Sequence, residues 1–158
     1  MVGPPCGFFV FLYLWTKQAD MHPILRNILA VTSGLIIGSM LNMSILGING
    51  SIISLPEGVD MTTSAGLAKS MTLFQPIHFL APFLAHALGT LVAVWIAVRF
   101  ASGNHFRIAL IPCVLFVLGG IYSIYLLPAP AWFETVDLFF AYIPMAWIGF
   151  KLGTFSKK

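Results

Sequence analysis

Gln75–Thr90, QPIHFLAPFLAHALGT, opens the second of four long apolar runs and carries His78 and His86, two of the four histidines. On a helix, these two imidazoles lie eight positions apart, about 12 Å along the axis and about 80° from a full turn. His78 falls at the start of the run and His86 well inside it. In the first of the four runs, apolar residues occupy every side, as lipid requires, and not one stripe as water would. A histidine placed so deep needs a partner, which makes it the first candidate for a function.

The rest of the chain fits the same solvent. Of its 158 residues 59% are hydrophobic and 8% charged, with mean hydropathy +0.95. A soluble domain carries about a quarter charged residues. So apolar a chain cannot cover itself with polar groups, so its partner is the lipid bilayer. The length fits one domain. The net charge of +3 comes from residues scattered at the ends of the apolar runs, with no basic stripe, which argues against nucleic acid as a partner. Cys6 and Cys113 have no metal spacing and read as free apolar thiols.

Working outward, the second span is expected over about 77–100. Pro76 suits its first turn, and Pro82 is expected to bend it or widen its first turns. The first span runs over about 24–48. Between them, residues 49–76 form the longest polar stretch, with Pro56, Gly58 and Asp60 marking a turn. Thr62 or Thr63 caps a short helix over about 64–74, whose Leu67, Met71 and Phe74 make one apolar stripe. The link 101–105 is short, so the third span, about 106–127, is antiparallel to the second. A proline turn, LPAPAW, leads to the fourth span at about 132–152, where Pro144 is expected to kink the helix and free the carbonyl of Phe140. Residues 1–20 hold one apolar run, Phe8–Trp15, about 12 Å long as a helix and too short to cross. They read as a peripheral or interfacial segment, or an over-extended start, ahead of a membrane domain over 21–158. The expected fold is all-α, an integral membrane four-helix bundle with a short amphipathic helix on its outer side.

Charge orients the bundle. Lys17, Arg26, Arg99, Arg107, Lys151, Lys157 and Lys158 fall on one side and only Lys69 on the other. Glu57, Asp60, Glu134 and Asp137 fall on the side of Lys69, and only Asp20 does not. The positive-inside rule then puts both termini in the cytoplasm and residues 49–76 outside.

Small residues recur at spacing four: Gly34 and Gly38, Ala85 and Gly89, Gly149 and Gly153. Such ridges let a second backbone approach, within the bundle, in a homo-oligomer or in a membrane complex.

The topology gathers His78, His86, Glu134 and Asp137 toward the outer half, with Glu57, Asp60 and Asn42 as weaker members. His86 pairs most simply with Asp137. The pair reads either as a hydrogen bond joining two helices or as a site for a divalent metal, a proton or a small polar ligand. The helical spacing argues against His78 and His86 sharing one ion. There is no CxxC, HExxH, phosphate-binding loop or nucleophile elbow, so no catalytic residue is assigned and the cofactor and metal are left unknown.

LPEGVDMTTSAGLAKSM, FQPIHFLAPFLAHALGT, LPAPAWFETVDL and AYIPMAWIGFKLG resemble segments of a family of small bacterial inner-membrane proteins of unknown function. The resemblance spans about Met21 to Gly153 and implies four spans in a bacterial membrane. It implies no activity or substrate, and residues 1–20 depart from the family's pattern. Three roles fit the residues: a membrane subunit or scaffold assembling through its small-residue ridges; a membrane enzyme or metal- or proton-binding protein using the His/carboxylate cluster; and a small proton-coupled carrier.

Overall fold

The computed structural model describes residues 21–60 and 62–155. The peripheral segment expected over 1–20 lies outside them, as do Lys157 and Lys158. Helix α1 spans Pro23–Ile52, α2 Ser64–Ser70, α3 Leu80–Phe100, α4 His105–Leu126, α5 Ala131–Val136 and α6 Ile143–Phe155. Tight 3-10 turns occupy Met71–Leu73 and Pro76–Phe79, and a π-helical segment, Asp137–Tyr142, joins α5 to α6. No strand occurs among the described residues. The chain is an all-α bundle with four stretches long and apolar enough to cross a membrane: Pro23–Gly50, Pro76–Phe100, His105–Leu126 and Ala131–Phe155. Large apolar side chains such as Ile28, Ile36, Met43, Leu118, Phe139 and Trp147 cover its outside, as lipid contact requires.

Helix α3 is the central element and touches all the other long helices. Its buried side chains are mostly small, including Ala85, Ala87, Ala93 and Ala97. Small residues suit an axis clasped from several sides, because they bring neighbouring backbones close. On one side, a Cβ at Gly34 would strike the carbonyl of Ala93, and one at Gly38 would lie 2.5 Å from the carbonyl of Gly89. On another, a Cβ at Gly149 would lie 2.5 Å from the carbonyl of Leu91 and one at Gly153 2.7 Å from a methyl of Val98. Both glycine ridges of the sequence are thus spent inside one bundle. This removes the reason for setting an oligomer or complex partner on them.

The helix ends follow local chemistry. Pro23 opens α1, where a missing N–H costs nothing, and the His22 ring accepts from Ile24 N at 3.4 Å. Helix α1 continues about one turn beyond the expected end, because Gly50 alone does not break it and the next proline is Pro56. At the other end of α3, Arg26 Nε donates to the Phe100 carbonyl at 2.7 Å and Ser102 N to Asn27 Oδ1 at 2.8 Å. These bonds tie α1 to the short link before α4. Gly103 takes the left-handed conformation in that link (φ 80°), and Asn104 caps α4 by accepting from Arg107 N at 3.2 Å.

The three prolines inside spans act differently. Pro112 is buried within an uninterrupted α4. Ahead of Pro82 the chain forms the 3-10 turn Pro76–Phe79, a narrower repeat and not the widened turns that were one of the two expected outcomes. Ahead of Pro144 it does the reverse. The π segment widens the helix where the proline ring would otherwise press on the carbonyl of Phe140.

Residues 53–60 and 62–75 cap one end. Thr63 Oγ1 accepts from Gly66 N at 2.9 Å, starting α2. The Asp60 carboxylate accepts from Thr62 N at 2.8 Å and Thr62 Oγ1 at 2.6 Å, and the Asp60 N–H donates to the buried Ser70 hydroxyl at 3.0 Å. The Thr62 hydroxyl, then its N–H, holds the Asp60 carboxyl below the ordinary aspartate value. Rings fasten the cap to the bundle: Phe79 packs on Phe133 at 4.7 Å, on Trp132 at 5.7 Å and on Phe74 at 6.0 Å.

Candidate functional site: a histidine–aspartate–tyrosine cluster in mid-bundle

His86 lies in the second turn of α3 and Asp137 at the first position of the π segment. His86 Nδ1 stands 2.8 Å from Oδ2 and 3.0 Å from Oδ1 of Asp137. A carboxylate only accepts, so the hydrogen of this contact belongs to Nδ1. A neutral imidazole so held keeps the lone pair of Nε2 free. Nε2 has no hydrogen-bond partner among the described residues, and His86 lines two cavities.

Tyr142 completes the cluster. Its hydroxyl donates to Asp137 Oδ2 at 3.3 Å, and its ring stacks on His86 with centroids 5.6 Å apart. In an α-helix, residues five apart lie about 140° from each other around the axis. The wider repeat of the π segment brings Asp137 and Tyr142 onto one side. The tyrosine needs room, and a Cβ on Gly120 of α4 would collide with its hydroxyl. Asp137 and Tyr142 are buried, at 4% and 1% exposure. The carboxylate therefore depends on His86 and Tyr142 for the hydrogen bonds that water would supply.

The first cavity is a cleft of about 410 Å³ between α1 and α4. Leu35, Ser39, Asn42 and Met43 form one wall, Phe116 and Gly119 the other, and His86 and Tyr142 the back. The second, about 210 Å³, lies toward the capped end. Leu55, Leu67, Met71 and Phe74 of the cap cover it, and His78, His86, Glu134 and Asp137 contribute its titratable groups. The apolar stripe expected of α2 thus faces the bundle. His86 borders both spaces.

The expected cluster divides in two. His86 and Asp137 meet as the sequence suggests. His78 borders the second cavity, but both its nitrogens are committed: Nδ1 accepts from Gln75 N at 3.0 Å, leaving Nε2–H to donate to the Ser54 carbonyl at 3.1 Å. It sutures the cap to the start of α3. Glu134 accepts from Ala129 N at 3.1 Å through one oxygen, and its other oxygen has no partner among the described residues. Asn42 lines the cleft, Glu57 is exposed in the turn before Gly58, and Asp60 serves the cap. A metal needs three converging ligands, and among the described residues no group of three His, Cys, Asp or Glu is placed to hold one.

Tyr142 is the member that sequence reasoning missed. Helical periodicity puts it out of phase with Asp137, and only the strain at Pro144, two residues on, hints that the period changes there. No family model matches this chain, and comparison with curated proteins and with solved structures gives no match. Its own geometry therefore carries the functional reading.

Proposed function

We propose that this protein is a proton-exchanging binding protein of the membrane, which takes a small ligand at the capped end and moves a proton through His86. The single observation that carries the reading is the His86 ring. Its Nδ1 is fixed by a buried carboxylate, while Nε2 is left without a partner among the described residues at the border of two cavities. Imidazole is the side chain suited to taking and giving a proton near neutral pH, and a carboxylate behind it stabilises the charge that arrives. A mere link between helices does not need both cavities. The reading as a scaffold assembling through glycine ridges loses its support, since Gly34, Gly38, Gly149 and Gly153 all pack on α3.

The orientation belongs to the same proposal. The bias of Lys and Arg supports cytoplasmic termini and an external cap, and the four resembling segments support a bacterial inner membrane. The test is nitrogen NMR of histidine-labelled protein in lipid nanodiscs. The His86 ring signals should respond reversibly to pH while the bundle stays folded, and Asp137→Asn should alter that response. A His86 signal indifferent to pH would sink the proposal.

A further inference from the structure

The capped-end cavity carries more chemical information than the presence of a proton site. Its polar lining is Asn49, His78, His86, Ser123, Glu134 and Asp137. Asp137 and Glu134 supply two carboxylates, and the second oxygen of Glu134 has no partner among the described residues. His86 adds the lone pair of Nε2. Among the described residues, no lysine or arginine lines the cavity to balance these groups. The acceptors left open are the second oxygen of Glu134 and His86 Nε2, so the complement is a donor, and beside two carboxylates with no basic residue on the wall that donor is a cation.

The remaining wall identifies the kind of cation. Phe74, Phe79 and Phe133 border the space together with Leu67, Met71 and Ile124. A hydrated metal ion gains nothing from such a wall, and the ligand set for a bare one is absent. An organic ammonium suits both parts: its N–H groups meet the open oxygen of Glu134 in the field of both carboxylates, and its carbon body lies against the rings, whose faces also attract positive charge. The volume of about 210 Å³ is below the range of about 300–1,000 Å³ common for drug-sized ligands, so the guest is small.

We infer that the capped-end cavity binds a small organic cation, a protonated amine on an apolar body. This rests on the proposed function for its location but specifies the ligand. The cavity lies between the cap and the turn that carries Ala129 and Glu134.

The test is calorimetric titration of the full chain in nanodiscs, with empty nanodiscs as reference. The probes are 2-phenylethylamine, the neutral 2-phenylethanol and the anionic 3-phenylpropanoate. Saturable binding of the amine is expected, at least about tenfold tighter than either of the other two. Glu134→Gln should weaken the amine by about tenfold and leave the alcohol unchanged. Glutamine can still accept from Ala129 N, so the turn survives, and unaltered helix content by circular dichroism checks the fold. Equal binding of amine and alcohol, preference for the anion, or no saturable binding of the amine overturns the inference. Amine binding with a pH-indifferent His86 would remove only the proton reading. A pH-responsive His86 without amine binding would remove only this one.

Discussion

Tyr142 follows Asp137 by five residues, yet its hydroxyl donates to the Asp137 carboxylate at 3.3 Å while its ring stacks on His86. The π segment makes this contact possible, so a local change of helical period ahead of Pro144 builds one side of the site. Tyr142→Phe keeps the ring and removes the donor. It should destabilise the bundle by about 0.5–1.5 kcal/mol, because Asp137 retains His86 as a partner. Equilibrium unfolding in mixed micelles measures this.

The His86–Asp137 pair should behave as one unit. Removing one partner of a buried pair strands the other, at a cost of about 3–5 kcal/mol. His86→Ala and Asp137→Ala should each be strongly destabilising. The double variant should lose clearly less than the two single losses added together. A double-mutant cycle in the same micelles checks this, and additive losses would mean that the two side chains do not interact.

Gly119 and Gly120 are neighbours on α4 with opposite surroundings. A Cβ at Gly120 meets the Tyr142 hydroxyl, whereas one at Gly119 meets nothing within 4 Å. Gly120→Ala should therefore displace Tyr142 and cost about 1–3 kcal/mol. Gly119→Ala should be neutral or slightly stabilising, since alanine is the better helix former. Comparing the two unfolding midpoints separates packing from helix propensity.

The cap should loosen in acid. Its Asp60 carboxyl is held below the ordinary aspartate value, first by the Thr62 hydroxyl and then by the Thr62 N–H. A depressed value in the folded state means that the ionised form is favoured there. The stabilisation is thus in place above the ordinary aspartate value and is lost as pH falls through the lowered one. Hydrogen exchange at residues 62–70 should speed up in that acid range. Asp60→Asn should remove the pH step, and an unchanged step in that variant would assign it to another group.

Much of the fold was legible because lipid imposes a simple rule: every residue of a span must be apolar or paired. Four apolar runs therefore marked four helices long and apolar enough to cross, and the deep His86 pointed to Asp137. The turn before α2 likewise left Thr62 or Thr63 to cap it, and Thr63 does. Other features depended on information that a linear pattern does not carry. The turn ahead of Pro82 is tight and the segment ahead of Pro144 wide, although each proline lacks the same N–H. His78 looked like a ligand, but the Gln75 N–H and the Ser54 carbonyl take both its nitrogens. The glycine ridges showed that some backbone must come close. Only the packing showed that it was α3 of the same chain.

The central claim is that Asp137 holds His86 by Nδ1 and leaves Nε2 free to exchange a proton. The most direct measurement is the tautomer of neutral His86, read from its two ring nitrogen shifts by NMR in lipid nanodiscs. The expected result is hydrogen on Nδ1 and a bare Nε2, with that preference lost in Asp137→Asn. Hydrogen on Nε2 in the unaltered protein, with Nδ1 indifferent to Asp137→Asn, would contradict it.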